Sequence, residues 1–408
     1  MPRSKLFYGW RMVGAAAVIQ FLHGGLLIQA FGAYVAVLSD ERGWSKTALS
    51  AGAALQSIEG ALLGPLLGWI MDRMGARTMV QAGMVIFGLG FIVLSQIDSI
   101  GGFYAAILLL ALGSSLAGYF PLSVTMVHWF HRHRARALSI MGLGLALGGI
   151  AVPFVAWGMQ VYGWRTTALA SGIIAIALGW PLARVLRRYP SDIGERPDGI
   201  AAEADASPPG TSALPTNHFT AAQAIRTQAF WLLAIGHALA LLVVTAVNVH
   251  AISHMKEGLG YSVGQASIVI MIMTASQVAG VLAGIVIGNR WEKHYVAAGC
   301  MLAHMVGLLM LTYASHPLWL GGFAVLHGAA WGLRGPFMQA IRADYFGLQA
   351  IGMIMGLSAF IISIGQVAGP MVAGGLSDLT GNYRTGFTLL ALIAGSGAVL
   401  FAMAKKPT

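Results

Sequence analysis

Runs of roughly 20 apolar residues, separated by short polar turns, recur along this chain, and each is long enough for a helix to cross a hydrocarbon layer about 30 Å thick. They lie near 9–38, 47–71, 78–97, 102–126, 138–161, 166–187, 229–252, 262–288, 295–314, 318–341, 350–375 and 385–404, which predicts twelve membrane spans in two sets of six. Between the sets, residues 190–227 form the only long polar stretch, rich in Pro, Ser, Asp and Glu, and read as a solvated connector. The pattern therefore predicts an all-α integral membrane protein. An N-terminal six-helix bundle covers 1–188, a connector 189–226 and a C-terminal six-helix bundle 227–408.

Charge adds an orientation. Of 408 residues 57% are hydrophobic and 9% charged, against about 25% charged in soluble domains, which excludes a soluble globular chain. Lys and Arg number 24 against 14 Asp and Glu. Eighteen of the basic residues fall in segments on the side of the termini and five (Arg42, Lys46, Arg165, Lys256, Arg384) on the other, with Arg334 left inside a span. By the positive-inside rule both termini and the connector lie in the cytoplasm, and the chain is a multi-pass protein of the cell (inner) membrane. The basic excess is thereby accounted for and implies no nucleic-acid partner. The first apolar run lacks a small-residue cleavage site, so the mature chain is expected to start near Met1. One cysteine, Cys300, excludes a disulfide framework and a cysteine-cluster metal site.

The two halves repeat. Span two carries Gly60, Gly64 and Gly68 ahead of Asp72-Arg73, and span eight carries Gly280, Gly284 and Gly288 ahead of Glu292-Lys293 at the same spacing. Spans five and eleven share Gly144, Gly148 and Pro153 against Gly365, Gly369 and Pro370, and lead to similar turns at Gly163-Trp164-Arg165 and Gly381-Asn382-Tyr383-Arg384. Small residues at every fourth position clear one helix face, so spans two, five, eight and eleven are expected to be the close-packing helices of a duplicated unit. Two such units related by an axis along the membrane normal are what alternating access needs.

At Gly68-Trp-Ile-Met-Asp72-Arg73-Met-Gly75-Ala-Arg77 the sequence resembles the signature loop between helices two and three of the major facilitator superfamily. Gly43-Trp44-Ser45, Trp129-Phe130 followed by Arg132, Arg134 and Arg136, Gly163-Trp164-Arg165, and Arg196-Pro197-Asp198-Gly199 resemble the branch that holds oxalate/formate antiporters and monocarboxylate transporters. The resemblance implies the major facilitator fold, with spans one, four, seven and ten around a central cavity. It also implies a cytoplasmic gate at Asp72, Arg73, Arg77 and the second-copy Glu292, in which Asp72 meets an Arg or the positive end of a helix such as span eleven. A solvated topology signal is the other reading of that loop. One departure stands out: the branch carries a basic residue within span eight, whereas no Lys or Arg occurs here between Lys256 and Arg290.

Two charged residues fall in mid-span, Glu59 and Arg334. A charge at that depth costs at least about 2.5–3.5 kcal/mol, so each is a functional candidate. Alignment of the halves sets Tyr119 of span four opposite Arg334 of span ten, where a guanidinium fork and a phenol suit a carboxylate. The competing reading has Arg334 closing a gate or binding carbonyls freed at Gly335-Pro336. Glu59 is a candidate proton-coupling group or a neutral interhelical hydrogen-bonding group. Of the many histidines, His23 and His250, the latter beside Asn248, join the substrate-binding candidates; His237, His304 and His327 are expected to be hydrogen-bonded packing groups. The His128, His131, His133 cluster lies among arginines, and no metal site is expected there.

No phosphate-binding loop or catalytic motif occurs, so neither an ATP motor nor an enzyme is predicted, and no cofactor. The sequence reads as a secondary active transporter of a small organic anion, a monocarboxylate moved with a proton or by exchange. Its expected partners are that substrate, protons and membrane lipid, with the chain a monomer. The alternative is a proton-coupled exporter of an amphipathic molecule, and from another class a receptor on the same scaffold, for which the connector is too short to hold a signalling domain.

Overall fold

The computed structural model describes residues 7–130, 133–199, 219–287, 291–347 and 350–407. Among them every regular element is a helix, as apolar segments in lipid require, since no water is there to satisfy backbone N–H and C=O groups.

The first span is α1 (Tyr8–His23), a single π-helical turn over Gly24–Ile28, and α2 (Phe31–Arg42). A long helical stretch, α3 (Lys46–Leu94), carries predicted spans two and three and reverses at Gly75, whose φ of 73° lies where residues with a Cβ are strained. The glycine of the signature loop is thus there for the reversal itself. Span four is α4 (Ile100–Ala117) and α5 (Tyr119–Trp129), parted at Gly118. Spans five and six are α6 (Arg134–Leu147), a 3-10 turn at Gly148–Ala151 and α7 (Val152–Ala183), which turns back at Gly163. The connector contributes 3-10 turns at Pro190–Ile193 and Pro197–Gly199 and the short α8 (Ala221–Ala224). Spans seven to twelve are α9 (Gln228–Leu259), α10 (Val263–Ile287), α11 (Lys293–Thr312), α12 (Pro317–Phe346), α13 (Ile351–Thr380) and α14 (Arg384–Met403).

Nine of the described segments are long and apolar enough to cross a membrane; one of them, Arg136–Ala183, holds two predicted spans. Predicted spans two and ten run within α3 and α12. The protein is an all-α, multi-pass membrane protein of twelve spans.

Contacts divide the chain into two compact units, 1–30 with 59–212, and 31–58 with 213–408. In the first unit a Cβ on Gly144 would overlap the carbonyl of Ala17, so α6 and α1 touch backbone to backbone. In the second, Gly365 and Gly369 meet the carbonyls of Ala238 and Leu242, which joins α13 to α9 in the same way. The fifth span of each half thus lies on the first. Gly280 meets the Ala329 carbonyl and Gly332 that of Gln277, so α10 and α12 are equally close. At Gly60, the counterpart of Gly280, a Cβ meets nothing within 4 Å among the described residues. The side chains at Asp72 and the surroundings of Gly64, Gly68 and Gly288 lie outside what is described.

Two of the motif segments are structural anchors. Trp129 is fully buried beside Phe7 and Tyr8 and donates its indole N–H to the carbonyl of Arg187 at 3.1 Å. Arg165 donates to the carbonyl of Ile97 at 2.8 Å and to Asp98 at 2.7 Å, tying α7 to the turn before α4.

Candidate functional site: a buried cation in the second unit

Arg334 sits on α12 with 1% of its surface exposed, and among the described residues no group hydrogen-bonds its Nε or Nη1. All the carboxylates of this unit stand at or beside helix ends: Asp40, Glu41, Glu257, Glu292, Asp344 and Asp378. The guanidinium therefore has no carboxylate counter-ion within the membrane-spanning part of its unit. An isolated buried ion costs several kcal/mol even after relaxation, so the arrangement favours whatever anion reaches it.

Around Arg334 lie groups that local sequence pattern had given to packing or to the cytoplasm. His327, two turns earlier on α12 and so on one face with Arg334, meets His304 of α11: Nδ1 to Nδ1 is 3.0 Å and the ring centroids are 4.4 Å apart. Both rings are fully buried, and neither Nε2 has a partner among the described residues. Arg334 is close enough for its charge to act on both of them, on Cys300 and on His237 of α9. Arg342, a basic residue expected in the cytoplasmic segment, is 3% exposed. One of its nitrogens donates to the carbonyl of Met338 at 3.1 Å and another lies 3.2 Å from Nδ1 of His237. Periodicity on α12 could have paired His327 with Arg334; no sequence signal joins either to His304.

Between α10, α11 and α12 lies an apolar cleft of about 760 Å³, with Trp291 and Tyr295 at one end and Cys300 and Leu333 along it. Cys300 thus lines this cleft and lies within reach of the charge of Arg334.

The other candidates are placed as follows. In the first unit Tyr119 begins α5 and is 54% exposed. Glu59 accepts a hydrogen bond from Ser115 at 3.0 Å through Oε2, while Oε1 is buried without a protein partner. His23, fully buried at the edge of the π turn, lies 3.0 Å by Nδ1 from the carbonyl of Ile19 and packs on Phe87 at 4.4 Å; its Nε2 has no protein partner. In the second unit the Oδ1 of Asn248 is likewise unpartnered.

His250 is the one candidate with both ring nitrogens engaged. Nε2 lies 3.0 Å from the carbonyl of Pro370 and 2.8 Å from Ser50 Oγ, and Nδ1 lies 3.1 Å from the Tyr383 hydroxyl. A carbonyl only accepts, so in the neutral ring Nε2 carries the hydrogen and the phenol donates to Nδ1. Burial and the Glu257 carboxylate push the Tyr383 phenol upward, which keeps its proton in place for that role. His250 therefore clasps α3, α13 and the turn before α14.

Of the gate residues, Arg73 and Arg77 are exposed, as is Glu292, which stands 3.8 Å from His294 beside a Lys293–Asp344 ion pair of 2.7 Å. The side chain of Asp72, like Arg132 of the basic turn, falls outside the described residues. No group of three or more metal-ligating side chains occurs among the described residues.

The sequence profile of the Major Facilitator Superfamily matches residues 16–250 and 233–408. Monocarboxylate transporter 13 of Bos taurus is 25% identical over 404 residues, covering 96% of this chain and 89% of that protein. Monocarboxylate transporter 11 of Mus musculus is 26% identical over 414 residues, with 97% and 87% covered. The crystal structure of the nucleoside transporter NupG superposes with a TM-score of 0.74 over 97% of this chain and 100% of that one, at 13% identity, and so bears on the fold alone.

Proposed function

Because the chain belongs to the major facilitator superfamily, we propose that this transporter moves a small organic anion by alternating access, the anion being held through Arg334. The observation that carries the reading is the buried guanidinium with two unpartnered nitrogens and no carboxylate within its unit's spans. A carboxylate would supply the missing charge and accept from the planar fork. The monocarboxylate transporters to which the chain is similar support a monocarboxylate as the first class to test. Tyr119, Asn248 and His23 remain candidates for the rest of the substrate, Glu59 for a proton, and Asp72, Arg73, Arg77 and Glu292 for a cytoplasmic gate. The imbalance of eighteen basic residues against five supports both termini in the cytoplasm and a place in the inner membrane.

Thermal shift of the purified protein with lactate, pyruvate and oxalate tests the reading, since a ligand that binds only the folded state raises its stability. Stabilisation that disappears in Arg334→Gln supports it; equal stabilisation of both proteins removes it.

Export of an amphipathic molecule is the second reading. It is favoured by the absence of any Lys or Arg between Lys256 and Arg290 and by the apolar cleft of about 760 Å³. Stabilisation by an uncharged amphiphile and by none of the three acids selects it.

A further inference from the structure

Two neutral imidazoles joined through their Nδ1 atoms divide into a donor and an acceptor. In the donor ring Nδ1 carries the hydrogen and Nε2 is bare; in the acceptor ring Nε2 carries it. The His304–His327 pair, with its 3.0 Å contact, therefore holds one bare Nε2 and one Nε2–H, and neither has a protein partner in a fully buried site. Leaving such groups unmet is costly, and packing alone would have favoured apolar side chains there. The bare nitrogen accepts one proton without breaking the contact between the rings. The added proton becomes the Nε2–H of an imidazolium whose Nδ1–H still donates to its neighbour, now as a charge-assisted bond. A second proton would make both Nδ1 atoms donors and would break it. The pair is thus built to hold a single positive charge.

That charge is opposed by Arg334. The other titratable or charged groups in the middle of the surrounding helices are Cys300 on α11, His237, His250 and His254 on α9, and Arg342 on α12; Lys256 and Glu257 of α9, Lys293, His294 and Tyr295 of α11, and Asp344 and Tyr345 of α12 stand at helix ends. His254 is occupied by the carbonyl of Leu311 at 3.0 Å. No titratable side chain occurs on α10, and those of α13 and α14 are confined to Asp378 and Arg384 at helix ends. No carboxylate within the second unit's spans therefore offsets Arg334 around the pair, whereas an incoming anion would do so.

We infer that the His304–His327 pair is a proton-binding site whose occupancy is linked to the anion held by Arg334. The inference rests on the anion reading above and adds the seat of the coupled ion. With Arg334 unneutralised, a second cation beside it is disfavoured; with an anion bound, the pair takes a proton from water, and the anion and proton are bound together. Linkage is reciprocal, so protonation of the pair strengthens anion binding by the factor through which the anion strengthens protonation. Release of either toward the cytoplasm favours release of the other. Such linkage enriches the empty and doubly loaded forms, the two that a symporter carries across.

The test uses the full-length protein with lactate as probe. Proton uptake on lactate binding is read from an indicator dye in weak buffer, and lactate counterflow and pH-driven accumulation are measured in proteoliposomes. The unaltered protein is expected to take up about one proton per lactate, and a gradient of about one pH unit to concentrate lactate up to about tenfold. His304→Gln and His327→Gln are each expected to abolish uptake and accumulation while retaining counterflow. Full uptake in either folded histidine variant overturns the proposal, as does no uptake in the unaltered protein that still counterflows lactate. If neither histidine variant folds, the infrared difference spectrum of the unaltered protein on lactate binding decides: an imidazolium band is expected, and its absence overturns the proposal. Absence of lactate binding and counterflow in the unaltered protein overturns the anion reading itself, and the proposal with it.

Discussion

Asp378, near the end of α13, caps the first turn of α3 through Lys46 and Thr47: its Oδ1 accepts from the Lys46 backbone N–H at 3.1 Å, and its Oδ2 from Thr47 N–H at 2.9 Å and Thr47 Oγ1 at 2.6 Å. Lys46 in turn pairs with Glu257 of α9 and reaches Ser377 at 3.2 Å. A carboxylate at a helix N-terminus meets both unsatisfied N–H groups and the positive end of the helix dipole. The cluster lies at the end of the second unit opposite the one expected to face the cytoplasm. It repeats there, with the roles of spans two and eleven exchanged, the contact that the signature loop implies for Asp72.

Removing this cap is expected to loosen that end. Asp378→Ala loses about 0.5–2 kcal/mol of capping. In a Cys300→Ser background carrying Ala54→Cys, labelling by a membrane-impermeant thiol reagent from the non-cytoplasmic side should rise severalfold. Unchanged labelling in the Asp378→Ala protein would remove the contact from any part in closing that end.

Arg334 offers a separation of geometry from charge. Arg334→Lys keeps the charge and loses the fork, and Arg334→Gln loses both. A charge-assisted hydrogen bond contributes about 1.5–3 kcal/mol, so the lactate Kd should rise roughly ten- to hundredfold in Arg334→Gln, and less in Arg334→Lys. Calorimetry on folded variants measures it, and the reverse order of the two would contradict a bidentate contact.

Glu59 can be tested apart from the histidine pair. Glu59→Gln keeps the hydrogen bond with Ser115 and removes titration. A coupling role predicts that pH-driven accumulation is lost while counterflow persists; full accumulation in proteoliposomes assigns the residue to interhelical bonding.

Helix contact gives a stability prediction. Gly332→Ala forces a methyl group onto the Gln277 carbonyl, whereas Gly60→Ala enters open space. Overpacking costs typically about 1–3 kcal/mol. The melting temperature in detergent should fall by several degrees in the first variant and hold in the second, and equal behaviour would contradict the backbone contact between α10 and α12.

The spans were legible because lipid leaves so few alternatives: a run of about 20 apolar residues must be a helix, and glycines at Gly75, Gly163 and Gly381 had to be turns. Small-residue spacing correctly marked Gly144, Gly280, Gly365 and Gly369, yet the identical spacing at Gly60 marks no contact, since a cleared face does not state which neighbour fills it. The candidate site was legible only as Arg334. His304 and His327 are 23 residues apart on different helices, a relation that no periodicity within one helix records. The burial of Arg342 was not legible either, because whether a long side chain near a span end is buried depends on which way it leaves the helix. The same limit applies to His250, whose partners Ser50 and Tyr383 come from 200 and 133 residues away.

The π turn at Gly24–Ile28 gives the first span a mechanical character of its own. Its wider loop of backbone, closed by Gln29 N–H on the Gly24 carbonyl at 2.8 Å, falls just before residue 31, where the chain leaves one compact unit for the other. Helices kink at such a turn rather than run straight through it. The first span is therefore a jointed rod rather than a rigid one, and its two pieces, α1 and α2, are counted with different compact units.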